Sequence, residues 1–127
     1  MTDARTYEYA LLRVVPRVDR GESINAGVVL YCQGLEFLGA RTALDEARLA
    51  ALDPGADPAA VRAALESVVA VCDGSPAAGP AGAGSLGTRF RWLTAPKSTV
   101  VQPGPVHGGL TGDPAAQLEH LVEKLVR

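Results

Sequence analysis

The chain is poor in the residues that most often carry chemistry or cross-link a fold. It holds two cysteines, two histidines and one tryptophan, and aromatic residues make up only 5% of its 127 positions. Cys32 and Cys72 are far apart and neither belongs to a C-x-x-C pair. That excludes a dithiol redox motif or a disulfide framework, and leaves two reduced, buried thiols in a cytoplasmic protein as the expectation. His107 and His120 do not form H-x-x-x-H or H-E-x-x-H, and neither cysteine stands in a dense ligand cluster. No metal site is expected. No G-K-[ST] triplet occurs, which argues against a phosphate loop, and no cofactor is expected. No apolar run approaches the roughly 18 residues needed to cross a bilayer. The opening MTDARTYEYA carries early charge and no apolar stretch of the kind a secretory leader needs. A net charge of −2 removes bulk attraction to nucleic acid and leaves only a local basic patch.

What is present fits one domain over residues 1–127, with 47% hydrophobic residues and enough length for a cooperative core. Residues 7–18 alternate. Ala10, Leu12, Val14 and Val18 share one face, and Tyr7, Tyr9, Leu11, Arg13, Val15 and Arg17 share the other. Residues 24–32 alternate again, with Ile24, Ala26, Val28, Leu30 and Cys32 apolar against Asn25, Gly27, Val29 and Tyr31. DRGES between them supplies a turn. Aligning the two apolar faces sets Val14 opposite Val28 and Arg17 opposite Asn25, and collects Arg13, Arg17, Asn25 and Tyr31 on a second, mixed face. Gly27 on that face leaves room for a packed neighbour or a ligand. Residues 35–41 supply a third strand.

Helices follow. Thr42 and Asp45 have the spacing of a capping box, with Leu44, Ala47 and Leu52 inward. Asp57 with Pro58 opens a second helix carrying Val61, Leu65, Val68 and Cys72, and Gly74 ends it. Residues 74–84, GSPAAGPAGAG, form a Gly/Ala/Pro-rich loop expected to be weakly specified. Ser85 caps a short helix bearing Leu86, Phe90 and Leu93. Residues 99–102 are extended, and Pro103 and Pro105 confine that segment to a sheet edge or a strap. Asp113 and Pro114 open a last helix with Leu118, Leu121, Val122 and Leu125 inward. The fold class is therefore α/β of the α+β type. An N-terminal antiparallel hairpin or meander of about three strands packs with three to four helices and a late edge strand or strap.

The candidate site centres on SLGTRFRWLTAPKSTVVQPGPVHGGLTG, residues 85–112. This stretch holds the only tryptophan, His107, and the basic residues Arg89, Arg91 and Lys97. No Asp or Glu lies nearby in sequence to orient His107, so no catalytic constellation is formed.

The chain resembles the DUF3037 family of uncharacterised small bacterial proteins over about residues 5–126. The resemblance is carried by YEYALLRVVPRVDRGESINAGVVLYC at 7–32 and FRWLTAPKSTVVQPGPVHGGLTGDP at 90–114. It implies an α/β domain with no established activity. Family members are sometimes encoded beside HipA-type serine/threonine kinases, which implies a partner or regulatory role. Positions matching the family's polar signature are Arg13, Arg17, Asn25, Arg91, Trp92, Lys97, Ser98, Gln102 and His107. Three function classes follow. The first is a non-enzymatic interaction or accessory domain, resting on a basic aromatic patch with no paired carboxylate. The second is a small enzyme or ligand-binding protein for an anionic substrate, with Arg13 or Arg17 meeting Arg91, Lys97 and His107 across a groove. The third is weak single-stranded nucleic-acid binding, with Trp92 stacking a base.

Overall fold

Five antiparallel strands and four α-helices make up the computed structural model, which describes residues 3–127. Met1 and Thr2, the first two positions of the domain expected over 1–127, lie outside the described residues. The strands are β1 (Arg5–Val14), β2 (Ile24–Cys32), β3 (Phe37–Thr42), β4 (Val101–Pro103) and β5 (His107–Thr111). The helices are α1 (Glu46–Leu52), α2 (Pro58–Asp73), α3 (Leu86–Thr94) and α4 (Pro114–Leu125). The sheet order is β3-β2-β1-β4, and β5 lies beside β4 on the same flank of β1. This is the expected α+β architecture.

Each face of the sheet carries a core, and this is why strict alternation misleads in β2. Ala10, Leu12 and Val14 face a core built from Leu49 of α1, Val61, Leu65, Val71 and Cys72 of α2, and Phe90 and Leu93 of α3. Tyr7, Val28, Leu30 and Cys32 face a second core with Leu118, Leu121 and Val122 of α4. The two free thiols are both buried, one in each core. Phe90 is fully buried with Tyr31 stacked on it, ring centroids 5.4 Å apart. Truncating so large a side chain at such a site costs about 3–5 kcal/mol.

The β1–β2 register differs from the expected one. Val14 pairs with Ile24, Arg13 with Asn25 and Leu11 with Val28. Pairing shifts between Leu12, opposite Gly27, and Arg13, leaving Ala26 as a bulged extra residue. The bulge lets Ala26 join the first core while Val28 turns to the second. Strand β1 stops at Val14, before Pro16, which has no N–H to donate to a ladder. Arg17 therefore lies in the turn rather than opposite Asn25, and its carbonyl accepts from the N–H groups of Arg20 and Gly21. Gly27 is filled by protein: a Cβ there would stand 2.7 Å from the Arg41 carbonyl oxygen.

Caps fix the helices. Asp45, Asp57, Ser85 and Asp113 each accept a hydrogen bond from a first-turn N–H. Asp45 is itself the N-cap of α1, so the capping-box assignment to Thr42 is corrected, and Leu49 rather than Ala47 is the buried residue. The Gly/Ala/Pro-rich segment forms 3₁₀ turns over Pro76–Gly82, and Ala78 and Ala81 pack on the first core. Arg89 ties this region down. Its Nη1 donates to the carbonyls of Val71 (2.9 Å) and Cys72 (2.8 Å) at the end of α2, and its Nε to Gly84 (3.0 Å). No helix among the described residues is long and apolar enough to cross a membrane.

Candidate functional site

Eight of the nine candidate residues separate into groups on the two faces of the sheet. Arg13, Asn25 and Gln102 stand in one cross-strand row, because Arg13 pairs with Asn25 on β2 and with Gln102 on β4. His107 lies further along the same face, paired with Tyr9, and its ring is 5.4 Å from the Tyr9 ring. Strands rise about 3.3 Å per residue, so Tyr9 and Arg13 are roughly 13 Å apart along β1. Helix α4 packs on β2 and β3 and leaves the β1–β5 side of this face half open, with Tyr9 and Leu11 partly buried and His107 exposed. Asn25 marks the boundary, its Nδ2 donating to the Leu125 carbonyl at the end of α4 (3.1 Å). Gln102 donates from Nε2 to the Thr99 carbonyl (2.9 Å).

Arg91 is on the opposite face. It grips Glu8 with two hydrogen bonds, Nη1 to Oε2 at 2.9 Å and Nη2 to Oε1 at 2.7 Å. The bond to Glu8 holds the Arg91 guanidinium above its ordinary pKa. The pair sits in an open polar cleft of about 980 Å³ that Arg5, Thr6, Tyr31 and Thr88 also line. Glu8 corrects the expectation of a patch without a paired carboxylate. Its two oxygens are both engaged by one cation, so the carboxylate is poorly placed to take a proton from a substrate.

Trp92, Lys97 and Ser98 form a third group at the C-terminal end of α3. Lys97 Nζ donates to the carbonyls of Trp92 (2.6 Å) and Ala95 (3.2 Å) and lies 4.7 Å from the Trp92 ring centroid. A lysine there satisfies carbonyls that the helix leaves open and complements its dipole. Burial holds the Lys97 ammonium below its ordinary pKa. Trp92 is 50% exposed, so it does not anchor the core. Arg17 stands apart from all three groups, in the exposed β1–β2 turn. Arg91 and His107 are thus not neighbours across one groove. Among the described residues, no group of three or more His, Cys, Asp or Glu side chains is placed to hold a metal ion.

The sequence model of a family described as a protein of unknown function, DUF3037, matches residues 9–126. The chain belongs to the DUF3037 family. The match takes in the first core, the second core except Tyr7, all four helices and every strand but the first four residues of β1. No curated protein and no solved structure matches the chain.

Strand β5 of this DUF3037 domain escaped the sequence reading, since a Gly-Gly pair disfavours a strand. The structure explains Gly109: a Cβ at that position would lie 2.7 Å from Cζ and Oη of Tyr7. The tyrosine ring takes the space a side chain would need. The exposed apolar residues Val106 and Leu110, before and within β5, were missed with it. The signal available was the proline-free run after Pro105, VHGGLT, with its branched Val and Thr.

Proposed function

We propose that this domain is a non-catalytic protein-interaction module, an accessory subunit that binds its partner along β5 and the half-open sheet face beside it. The observation that carries this reading is Leu110, 70% exposed on a strand that, among the described residues, pairs on one side only. Edge strands offer unpaired N–H and C=O groups, and proteins usually blunt them with charge or proline. Residues 107–111, HGGLT, contain no Lys, Arg, Asp, Glu or Pro. An added strand from a partner would satisfy the edge, and its alternate side chains would meet Leu110 on one face and His107 and Tyr9 on the other. On this reading the domain works in a bacterial cytoplasm, which keeps Cys32 and Cys72 reduced. A HipA-like kinase, the partner class suggested by the family resemblance, is the first purified protein to test.

The test is site-specific photo-crosslinking in cells, with benzoylphenylalanine at position 110 and, as a control, at exposed position 66 on α2. An adduct of defined mass at 110 only, abolished by Val106→Lys in the same chain, supports the reading. Identical adduct patterns at 110 and 66 would falsify it. A species of twice the chain's mass would reassign the edge to self-association.

A further inference from the structure

The first core is incompletely filled on its outer side. A pocket of about 640 Å³ opens between α2, the 3₁₀ turns at Pro76–Gly82, the end of α3 and β4. Its volume lies within the range of small-molecule sites. Leu12, Val68, Val71, Leu93 and Val101 supply apolar walls. Ala64, Ala78 and Ala81 line it as well, and methyl-sized side chains there leave the space open. The Gly/Ala/Pro-rich segment is therefore one wall of a cavity.

The charge of the lining is one-sided. Among the described residues, Lys97 is the only cation that lines the pocket, and no carboxylate does. Its Nζ is held by two carbonyls, Trp92 and Ala95, and an ammonium has three protons. One N–H and the full charge remain for a ligand. Ser98 and Thr99 follow directly in sequence and line the same pocket. An apolar chamber with a fixed cation at one side and no anion selects an apolar molecule with a single negative end.

We propose that this pocket binds a small amphiphilic monocarboxylate, such as a medium-chain fatty acid, with its chain against the α2–α3 wall and its carboxylate at Lys97. The site lies on the face away from α4 and does not depend on the role given to β5. A carboxylate at Nζ replaces the water that burial removes from the ammonium, and the charge-assisted hydrogen bond is of the stronger kind. Trp92, which lines the pocket and packs on Lys97, would cover the polar end.

The chain's single tryptophan makes occupancy readable, because Trp92 emission responds to a change beside its ring. Octanoate, octan-1-ol and octylammonium are titrated into the native protein, with calorimetry as a second readout. The expected result is saturable octanoate binding at least about tenfold tighter than either analogue, the scale of one charge-assisted contact. Lys97→Met should remove that preference, and Ala64→Leu, which fills the chamber, should weaken octanoate and octanol together. Equal affinity for the three ligands overturns the proposal. So does octanoate binding that survives Ala64→Leu, or the absence of saturation up to millimolar octanoate. The ligand series uses only the native chain, so it decides even where Lys97→Met does not fold.

Discussion

Arg91 and Glu8 join α3 to β1 through a two-point ion pair, with contacts of 2.9 and 2.7 Å. The arginine in this pair is more than half exposed, which limits what it contributes. Exposed pairs contribute about 0.2–1 kcal/mol. A double-mutant cycle of Glu8→Gln and Arg91→Met, read by urea unfolding, should return a coupling energy in that range. Because His107 is on the other face of the sheet, Arg91→Ala and His107→Ala should be additive within about 0.5 kcal/mol. A larger coupling between those two would contradict the observed placement.

Arg89 should matter more than Arg91, although the two are neighbours in sequence. Its guanidinium satisfies three carbonyls, two of them at the end of α2. Arg89→Met leaves these acceptors without their charged donor, and a loss of about 2 kcal/mol is expected. Urea unfolding measures it. A change below about 0.5 kcal/mol would show that water replaces the guanidinium without cost.

Gly109→Ala should detach β5. The new methyl would meet the Tyr7 ring at 2.7 Å, and overpacking of this kind costs about 1–3 kcal/mol. Amide exchange should accelerate over residues 107–111 more than over β2. Tyr7→Leu in the same chain should relieve part of the penalty, giving a negative coupling in the cycle.

Burial pushes the Cys72 thiol up to about 12 from an ordinary value of 9.0. The unfolded chain therefore releases this proton before the folded one does. The thiol's contribution to stability is intact below pH 9 and falls as pH rises towards 12, at up to about 1.4 kcal/mol per pH unit. Cys72→Ala should lower stability at neutral pH and flatten its decline between pH 9 and 11. Parallel pH profiles for the two proteins would contradict the assignment.

Capping grammar and helical stripes were legible in the sequence. Asp57-Pro58 and Asp113-Pro114 open helices where expected, and Gly74 closes α2 in the left-handed conformation. The Phe90 face of α3 was legible for the same reason, since both signals act within one or two turns of chain. The bulge at Ala26 was not, because alternation gives the period of a strand and not which residue drops out of the ladder. Strand β5 was hidden by its glycines, whose necessity lies in Tyr7, about a hundred positions away. The candidate residues were found as chemical types. Their separation onto two sheet faces depended on β1 lying centrally, with Glu8 facing one way and Tyr9 the other.

The placement of one thiol in each core gives the molecule a pair of internal clocks. Cys32 reports on the layer under α4 and Cys72 on the layer under α2, with the whole thickness of the sheet between them. They cannot be oxidised to a common disulfide while the sheet is intact. Alkylation timed at each sulfur would thus tell whether the two layers open together or one at a time.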